Sequence, residues 1–297
     1  MLLPSELTEE LHYLQLAASR RIRSQRFGQS RSRLRGTGYE FESHRKYEIG
    51  GDLRRVDWNV SARMQELFLK RHFEEKEVVV FLAVDVSRSM RFSTARWSKR
   101  IRAIQVAATL GFSAAAENCH LGFMAFSDKV EAYEPPRKGQ AHVWRIIERL
   151  YNLHDTQHGT NCETAIRFLR SHLRRTAIVF LLSDFVIDPD ATPLTDLPEF
   201  KALARKHDVV PILFEDELER SLPKGHGLLR LRSAEGPHEL LLSLSSKQRM
   251  RFEALVNHRK AALRDLFFSL GMDCLFLQVG EPFLDPLMNL FERRKKG

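Results

Sequence analysis

Short, continuous apolar runs alternate along the sequence with segments whose apolar residues recur at helical spacing. Residues 78–84 are the clearest run, with seven β-branched or apolar side chains in succession, as expected for a strand covered on both faces. Two later runs, at 177–182 and 209–214, each follow a segment of helical pattern. Because strands that alternate with helices are joined by right-handed crossovers, these runs predict an α/β fold with a mainly parallel, doubly wound sheet.

Three parts are expected along the chain. Residues 1–35 are predicted to form an amphipathic helix and a basic arm, with seven arginines between positions 20 and 35. Residues 36–76 contain sparse aromatic residues and several glycines, which predict a small β-rich accessory module of short strands and turns. Residues 77–297 are predicted to form the doubly wound domain, with further helices at 98–118 and 247–270.

The composition restricts the class of protein. No apolar stretch reaches the roughly 18 residues of a membrane span, and the first residues lack a signal-peptide core, so we expect a cytoplasmic protein. The net charge of +9 calls for an anionic partner or surface. Because the basic arm carries no base-reading motif, we expect it to be solvated or to dock on protein rather than to bind nucleic acid. The three cysteines have no paired spacing and are expected to be reduced.

Oxygen-bearing side chains stand at the ends of predicted strands. Asp85, Ser87 and Ser89 alternate in the loop directly after the first strand. Thr160 precedes a predicted helix, and Asp184 follows a later strand. Since ligands of open parallel sheets bind beyond the carboxyl ends of the strands, we expect all five residues to meet at one edge of the sheet.

This set of side chains predicts a metal site. Two carboxylates and three hydroxyls are hard oxygen ligands, which Mg²⁺ prefers, and Mn²⁺ or Ca²⁺ would suit the same set. The two carboxylates only balance the charge of the ion, so an open coordination position would still attract the Asp or Glu of a partner. Taken by itself, the 85–89 segment has an alternative interpretation, because acidic and hydroxyl residues also crowd ordinary turns.

The Asp-x-Ser-x-Ser motif of residues 85–89, together with Thr160 and Asp184, resembles the metal-ion-dependent adhesion site of von Willebrand factor A domains. The resemblance implies a von Willebrand factor A-like, Rossmann-type fold. Residues upstream resemble the signature of the bacterial domain-of-unknown-function family fifty-eight: Gly38-Tyr39-Glu40-Phe41, Arg45, Tyr47, Gly51-Asp52, Arg54, Asp57-Trp58 and Ala62-Arg63. Members of that family are similar to partners of MoxR-type AAA+ ATPases. The resemblance therefore implies work with such an ATPase and a client protein, in protein maturation or complex assembly.

The upstream signature allows two interpretations. In the structural one, its glycines permit tight turns, Trp58 anchors a small core, and Asp57 or Asp52 pairs with Arg54 or Arg45. In the functional one, the same segment is a docking surface for the ATPase or its client. The sequence does not separate the two.

Enzymatic functions find less support. A haloacid-dehalogenase-type phosphatase needs a second carboxylate two residues after the first, where this chain has Ser87. The sequence contains neither a phosphate-binding loop motif nor a Gly-x-Ser-x-Gly nucleophile motif. His154 and His158 are one helical turn apart, which is the spacing of a transition-metal pair. Alternatively, they are solvated residues of a loop. We predict a non-enzymatic adaptor; the alternative is a metal-dependent phosphate-ester hydrolase that uses the same cluster.

Overall fold

The computed structural model describes residues 3–21, 40–47, 56–73, 78–153, 159–186, 193–194, 197–225, 227–232 and 239–296. Its chain divides into two compact units, one formed by residues 1–33 and 79–297 and the other by residues 34–78. The smaller unit overlaps residues 36–76, for which an accessory module is expected, and the amino-terminal helix lies within the larger unit. Several predicted features lie outside the described residues: the basic arm from 22 to 35, the Asp52 and Arg54 pair, and the histidines 154 and 158.

The helices and strands follow one another in a largely alternating order. The first half of the chain forms α1 (Ser5–Arg21), β1 (Glu40–Lys46), α2 (Trp58–Met64), β2 (Phe68–Phe73), β3 (Val79–Asp85), α3 (Lys99–Ala116), β4 (His120–Phe126), β5 (Val130–Arg137) and α4 (Gln140–Asn152). The second half forms α5 (Cys162–His172), β6 (Ile178–Ser183), α6 (Pro198–Lys206), β7 (Asp208–Glu215), α7 (Glu217–Arg220), β8 (Leu228–Arg232), β9 (Glu239–Ser243), α8 (Ser246–Ser269), β10 (Leu275–Gln278) and α9 (Leu284–Lys296).

A six-stranded sheet in the order β10-β7-β6-β3-β4-β5 is the centre of the larger unit. Its neighbouring strands are parallel except for β4 and β5, which are antiparallel. From β3 the chain first builds towards β5 and then returns to the other side through β6, so the strand order reverses beside β3. The predicted mainly parallel, doubly wound α/β fold is confirmed, and the point of reversal is where such sheets bind ligands.

Both faces of the sheet are covered. Val79, Phe81 and Ala83 of β3 pack in one buried cluster with residues of α5, α6 and α8. The alternate residues of β3 point to the opposite face, where α3 contacts β3, β4 and β7. All seven residues of β3 are therefore buried, which is the physical reason for its continuous apolar run.

The amino-terminal helix α1 packs on α3. Its apolar stripe of Leu7, Leu11, Leu14 and Ala18 is fully buried. Ser98 begins α3 by accepting a hydrogen bond from the backbone N–H of Ile101. Helix α3 thus lies between the sheet and α1.

Among the described residues, no helix has the length and apolar character needed to cross a membrane.

The smaller unit contains an antiparallel pair, β1 with β2, and the short helix α2. Asp57 caps α2 by accepting hydrogen bonds from the N–H groups of Asn59 and Val60. The hydroxyl of Ser61 accepts a hydrogen bond from the N–H of Phe68, the first residue of β2. The interpretation that Trp58 anchors a small core is wrong, because its first helical position leaves it 65% exposed.

Strand β5 and helix α4 are among the elements of the larger unit that the sequence did not predict. Strand β5 contains Pro135 and Pro136 among charged residues, a composition that argues against a central strand. It lies at the edge of the sheet, where missing N–H donors are tolerated. Helix α4 packs against α3 and β4 and completes the cover of that edge.

Gly122 of β4 gives a direct test of this packing. It lies opposite Phe81 of β3, and a Cβ atom at Gly122 would be 2.5 Å from a ring carbon of Phe81 and 3.0 Å from Pro136. Phe81 is fully buried. Gly122→Ala is expected to lower the free energy of unfolding by about 1–3 kcal/mol in chemical denaturation. Gly280→Ala is the matched control, since its Cβ would meet only Ala95 at 3.8 Å; equal stability of the two variants would contradict the prediction.

Candidate metal-binding site

The five predicted metal ligands are all buried at the carboxyl edge of the sheet. Asp85 is the last residue of β3, and Asp184 directly follows the last residue of β6. Thr160 lies just before Asn161, whose side chain caps α5. Because β3 and β6 are paired neighbours, the fold brings the loops that follow them together.

Four of the five side chains, Asp85, Ser87, Ser89 and Thr160, share one hydrogen-bonded cluster. One oxygen of Asp85 accepts from the N–H of Ser87 at 2.9 Å, and the other accepts from the hydroxyl of Ser183 at 2.6 Å. The hydroxyl of Thr160 donates to Oγ of Ser87 at 2.7 Å and lies 3.4 Å from Asp85. The hydroxyls of Ser87 and Ser89 are 3.1 Å apart. Ser183 belongs to the cluster although the sequence analysis did not include it.

Asp85 supplies the carboxyl group of this cluster. Its side chain is fully buried, and no described lysine, arginine or histidine forms an ion pair with it. Burial, together with the nearby charge of Asp184, raises the pKa of Asp85 from 3.8 to about 7, although hydrogen bonds from Ser183 and Ser87 favour the charged form. An ionised Asp85 therefore calls for a cation at this place.

Asp184 is held by an ion pair that the sequence analysis missed. Nζ of Lys99 lies 2.6 Å from Oδ2 of Asp184 and 2.5 Å from Oε1 of Glu219. The other oxygen of Asp184 accepts a hydrogen bond from the N–H of Val186 at 3.0 Å. One sequence signal was present: Lys99 follows the cap Ser98 in the first turn of α3, where the helix dipole disfavours a cation.

Lys99 is charged in this setting. Burial by itself would lower the pKa of Lys99, but the charges of Asp184 and Glu219 outweigh burial and raise that pKa above 10.5. Glu219 lies in α7, and its second oxygen accepts a hydrogen bond from the N–H of Asp216, the cap of that helix. Lys99 therefore connects the loop after β6 with the loop after β7.

Asp216 ties a third loop to this network. Its carboxylate accepts hydrogen bonds from the N–H and the hydroxyl of Thr94, each at 2.7 Å, and from the hydroxyl of Ser93 at 3.0 Å. The same carboxylate caps α7 through the N–H of Leu218 at 3.0 Å. The loop between β3 and α3 is thereby fixed beside the site.

A cavity of about 240 Å³ adjoins the Lys99 side of the site. Arg259 of α8 stands at this cavity and donates a hydrogen bond to the backbone carbonyl of Asp184 at 3.0 Å. Its other polar lining residues are Asp184, Glu215, Glu219 and Lys260. Its apolar lining residues are Val186, Leu213, Phe214, Phe252, Val256 and Leu263.

The donor set suits a hard divalent ion. Asp85, Ser87, Ser89 and Thr160 present oxygen atoms within hydrogen-bonding distance of one another, and Asp85 has no counter-ion among the described residues. Within that same part of the chain, no three His, Cys, Asp or Glu side chains form a cluster that would hold a metal. The site therefore offers two carboxylates with several hydroxyls, a set for magnesium-like ions that keep water ligands, rather than for thiolate- or imidazole-bound metals.

Relatives of the chain extend over nearly its whole length. Uncharacterized proteins of Mycobacterium tuberculosis and Mycobacterium bovis are each 24% identical over 294 residues, which is 98% of this chain and 91% of the relative. Among solved structures, BatB from Bacteroides thetaiotaomicron has a TM-score of 0.45 at 15% identity, covering 74% of this chain and 100% of that one. The SpRpn10 VWA domain has a TM-score of 0.39 at 11% identity, covering 74% and 97%.

With TM-scores this low, no partner or activity of these proteins can be inferred for the chain. The match to a family model is of another kind, because it covers residues 43–262 and thus most of the sequence. That segment contains the Asp-x-Ser-x-Ser motif, Lys99, Thr160, Asp184 and Glu219. The family expected from the sequence motifs is confirmed. The chain belongs to the family described as "Protein of unknown function DUF58".

Proposed function

We propose that the protein is a non-enzymatic adaptor that binds an acidic side chain of its partner through a divalent cation. Asp85, Ser87, Ser89, Thr160 and Asp184 would hold Mg²⁺, or Mn²⁺ or Ca²⁺ in its place. The observation that carries the proposal is the Asp85 carboxylate, which is buried among hydroxyl groups and has no counter-ion among the described residues.

The chain's own residues prepare the site for this role. Ser183 and the N–H of Ser87 hold the two oxygens of Asp85 in a fixed orientation. The hydroxyls of Ser87, Ser89 and Thr160 bring neutral oxygen ligands beside it without adding charge. When bound, a divalent ion supplies the positive charge and the open coordination position to which a partner's Asp or Glu binds.

The partner that we propose is a MoxR-type AAA+ ATPase, which acts with this adaptor on a client protein in maturation or complex assembly. The family resemblance supports this choice of partner. The net charge of +9 would favour the approach of an acidic surface. The exposed Trp58 of the smaller unit offers a second surface on which such a partner could dock.

Capture of a purified MoxR-type AAA+ ATPase from the same organism tests the proposal. Asp85→Ala is expected to reduce capture in magnesium buffer by at least about tenfold, to the level seen with EDTA, because the carboxylate is a direct ligand of the ion. The variant should stay folded by circular dichroism. Asp265→Ala, which removes an exposed carboxylate of α8, is the control and should bind as the wild type does.

Two results would contradict the proposal. Equal capture with magnesium and with EDTA would mean that the partner docks elsewhere, such as on the smaller unit. Magnesium-dependent turnover of a phosphate ester that is abolished in Asp85→Asn would instead favour the hydrolase alternative.

A further inference from the structure

We infer that Lys99 is a built-in cation of the site, which competes with the divalent ion for Asp184 and so sets the affinity of the site for metal. The inference rests on the proposed metal site and concerns a residue that the predicted ligand set does not contain. Its basis is the position of Nζ, which contacts Asp184 at 2.6 Å and Glu219 at 2.5 Å while the lysine side chain is fully buried.

The charges of the site explain why Lys99 matters for metal binding. Asp85, Asp184 and Glu219 carry three negative charges when ionised, and Lys99 contributes one positive charge. Within this group of four, two negative charges remain, which one divalent ion would balance; the guanidinium of Arg259, which donates to the backbone carbonyl of Asp184, adds a further positive charge nearby. An ammonium in contact with Asp184 also repels a second cation at that carboxylate, and such repulsion is strong between buried groups a few ångströms apart.

Both oxygens of Asp184 already have partners. Oδ2 accepts from Lys99, and Oδ1 accepts from the N–H of Val186. Each oxygen still has a free lone pair, but an ion bound at Oδ2 would bring a second cation against the ammonium of Lys99, and this repulsion favours displacement of Lys99 from Asp184. The affinity of the site for metal then depends on how readily Lys99 leaves Asp184.

Glu219 makes this exchange possible. Its side chain is 30% exposed and lines the 240 Å³ cavity beside Asp184. An ion pair between Glu219 and Lys99 therefore stays partly hydrated. Its other oxygen is fixed by the N–H of Asp216. When Asp184 turns to the ion, Lys99 retains Glu219 and is not left as an unpaired buried charge, which would be costly.

Calorimetric titration of the metal-free protein with MgCl₂ tests this role. Lys99→Met is expected to bind Mg²⁺ at least about tenfold more tightly than the wild type, because a like charge in contact with a ligand carboxylate has been removed. Glu219→Gln is expected to weaken Mg²⁺ binding several-fold, since Lys99 then depends on Asp184. In Lys99→Met/Glu219→Gln the effect of the second change should largely disappear, because Lys99 transmits it; this non-additivity identifies a coupled pair.

Thermal unfolding gives a readout that does not depend on calorimetry. Lys99→Met leaves the buried Asp184 and the partly exposed Glu219 without their cation, so its metal-free form should melt below the wild type, and Mg²⁺ should raise its melting temperature more than that of the wild type. Lys99→Gln, which keeps a hydrogen-bond donor, tests the same change if Lys99→Met does not fold. Lys260→Met is the matched control, because Lys260 pairs with Glu215 at the same cavity but does not contact Asp184.

The outcomes separate the two proposals. The role of Lys99 is supported if Lys99→Met binds Mg²⁺ more tightly than the wild type does. The same holds if this variant binds Mg²⁺ and the wild type binds it too weakly to measure. The role of Lys99 is contradicted if the wild type and Lys99→Met bind Mg²⁺ with the same affinity, or if Lys260→Met gains as much affinity as Lys99→Met. Either result is still consistent with the proposed metal site. Absence of Mg²⁺ binding by the wild type and by both Lys99 variants overturns both.

Discussion

In metal-free buffer, the wild-type protein is expected to lose roughly 4 kcal/mol of unfolding free energy relative to Asp85→Asn as the pH rises from about 3 to about 8. Burial and then the charge of Asp184 raise the pKa of Asp85 from 3.8 to about 7 in the folded protein. Each pH unit of that difference corresponds to about 1.4 kcal/mol. The asparagine amide resembles the protonated carboxyl group and does not titrate.

The direction follows from proton binding. Between pH 3.8 and about 7 the folded protein keeps a proton on Asp85 that the unfolded chain has released, so the stabilisation is complete below this range and is lost as the pH rises through it. His207 acts in the opposite direction, because burial lowers its pKa from 6.5 to about 4. Comparison of the wild type with Asp85→Asn cancels the contribution of His207, which both proteins share.

Urea denaturation at several pH values, with EDTA present, measures this difference. Addition of magnesium at neutral pH should restore stability to the wild type, because the ion replaces the proton as the counter-charge of Asp85, and should leave Asp85→Asn almost unchanged. A difference between the two proteins that stays constant from acidic to neutral pH would show that Asp85 is not a strained buried carboxylate.

The second large effect is expected at Asp216. Asp216→Ala should lower the free energy of unfolding by about 3 kcal/mol or more, because hydrogen bonds to a charged group are worth about 1.5–3 kcal/mol and this carboxylate accepts several. Its partners are Thr94, Ser93 and Leu218. Although burial opposes it, these hydrogen bonds lower the pKa of Asp216, which indicates that the charged form is the stabilised one.

Chemical denaturation and amide hydrogen exchange test this prediction. The N–H of Thr94 donates to Asp216 and should exchange faster in the variant. Asp57→Ala is the matched control, since Asp57 also caps a short helix through backbone N–H groups but is only half-buried. Loss of that cap should cost only about 1 kcal/mol. Equal losses in the two variants would mean that Asp216 acts as a helix cap alone.

The sequence by itself determined the type of sheet and the place of the candidate site. A continuous apolar run is required of a strand that is buried on both faces, so the residues of β3 were recognisable without a structure. The alternation of strands with helices then placed Asp85 and Asp184 at the same edge of a parallel sheet, because chain direction fixes which strand ends share an edge. These inferences needed only local patterns and general rules of chain connection.

Other features depended on partners that are distant in the sequence. The apolar stripe of α1 was visible, but its packing on α3 was not, since an amphipathic face does not specify what covers it. Strand β5 was hidden by its prolines, which only an edge position permits. One of the two interpretations of the upstream signature placed Trp58 in a small core on the basis of residue type, whereas Trp58 at the start of α2 is exposed to solvent.

The charge balance of the site was decided by the tertiary structure alone. Lys99 is 85 residues from Asp184 and 120 residues from Glu219 along the chain. No periodicity or spacing connects residues so far apart. Their contact arises because α3 begins, β6 ends and α7 follows β7 at one edge of the sheet. The sequence thus predicted that Asp85 and Asp184 share this edge. Only the packing of distant segments placed the ammonium of Lys99 between Asp184 and Glu219.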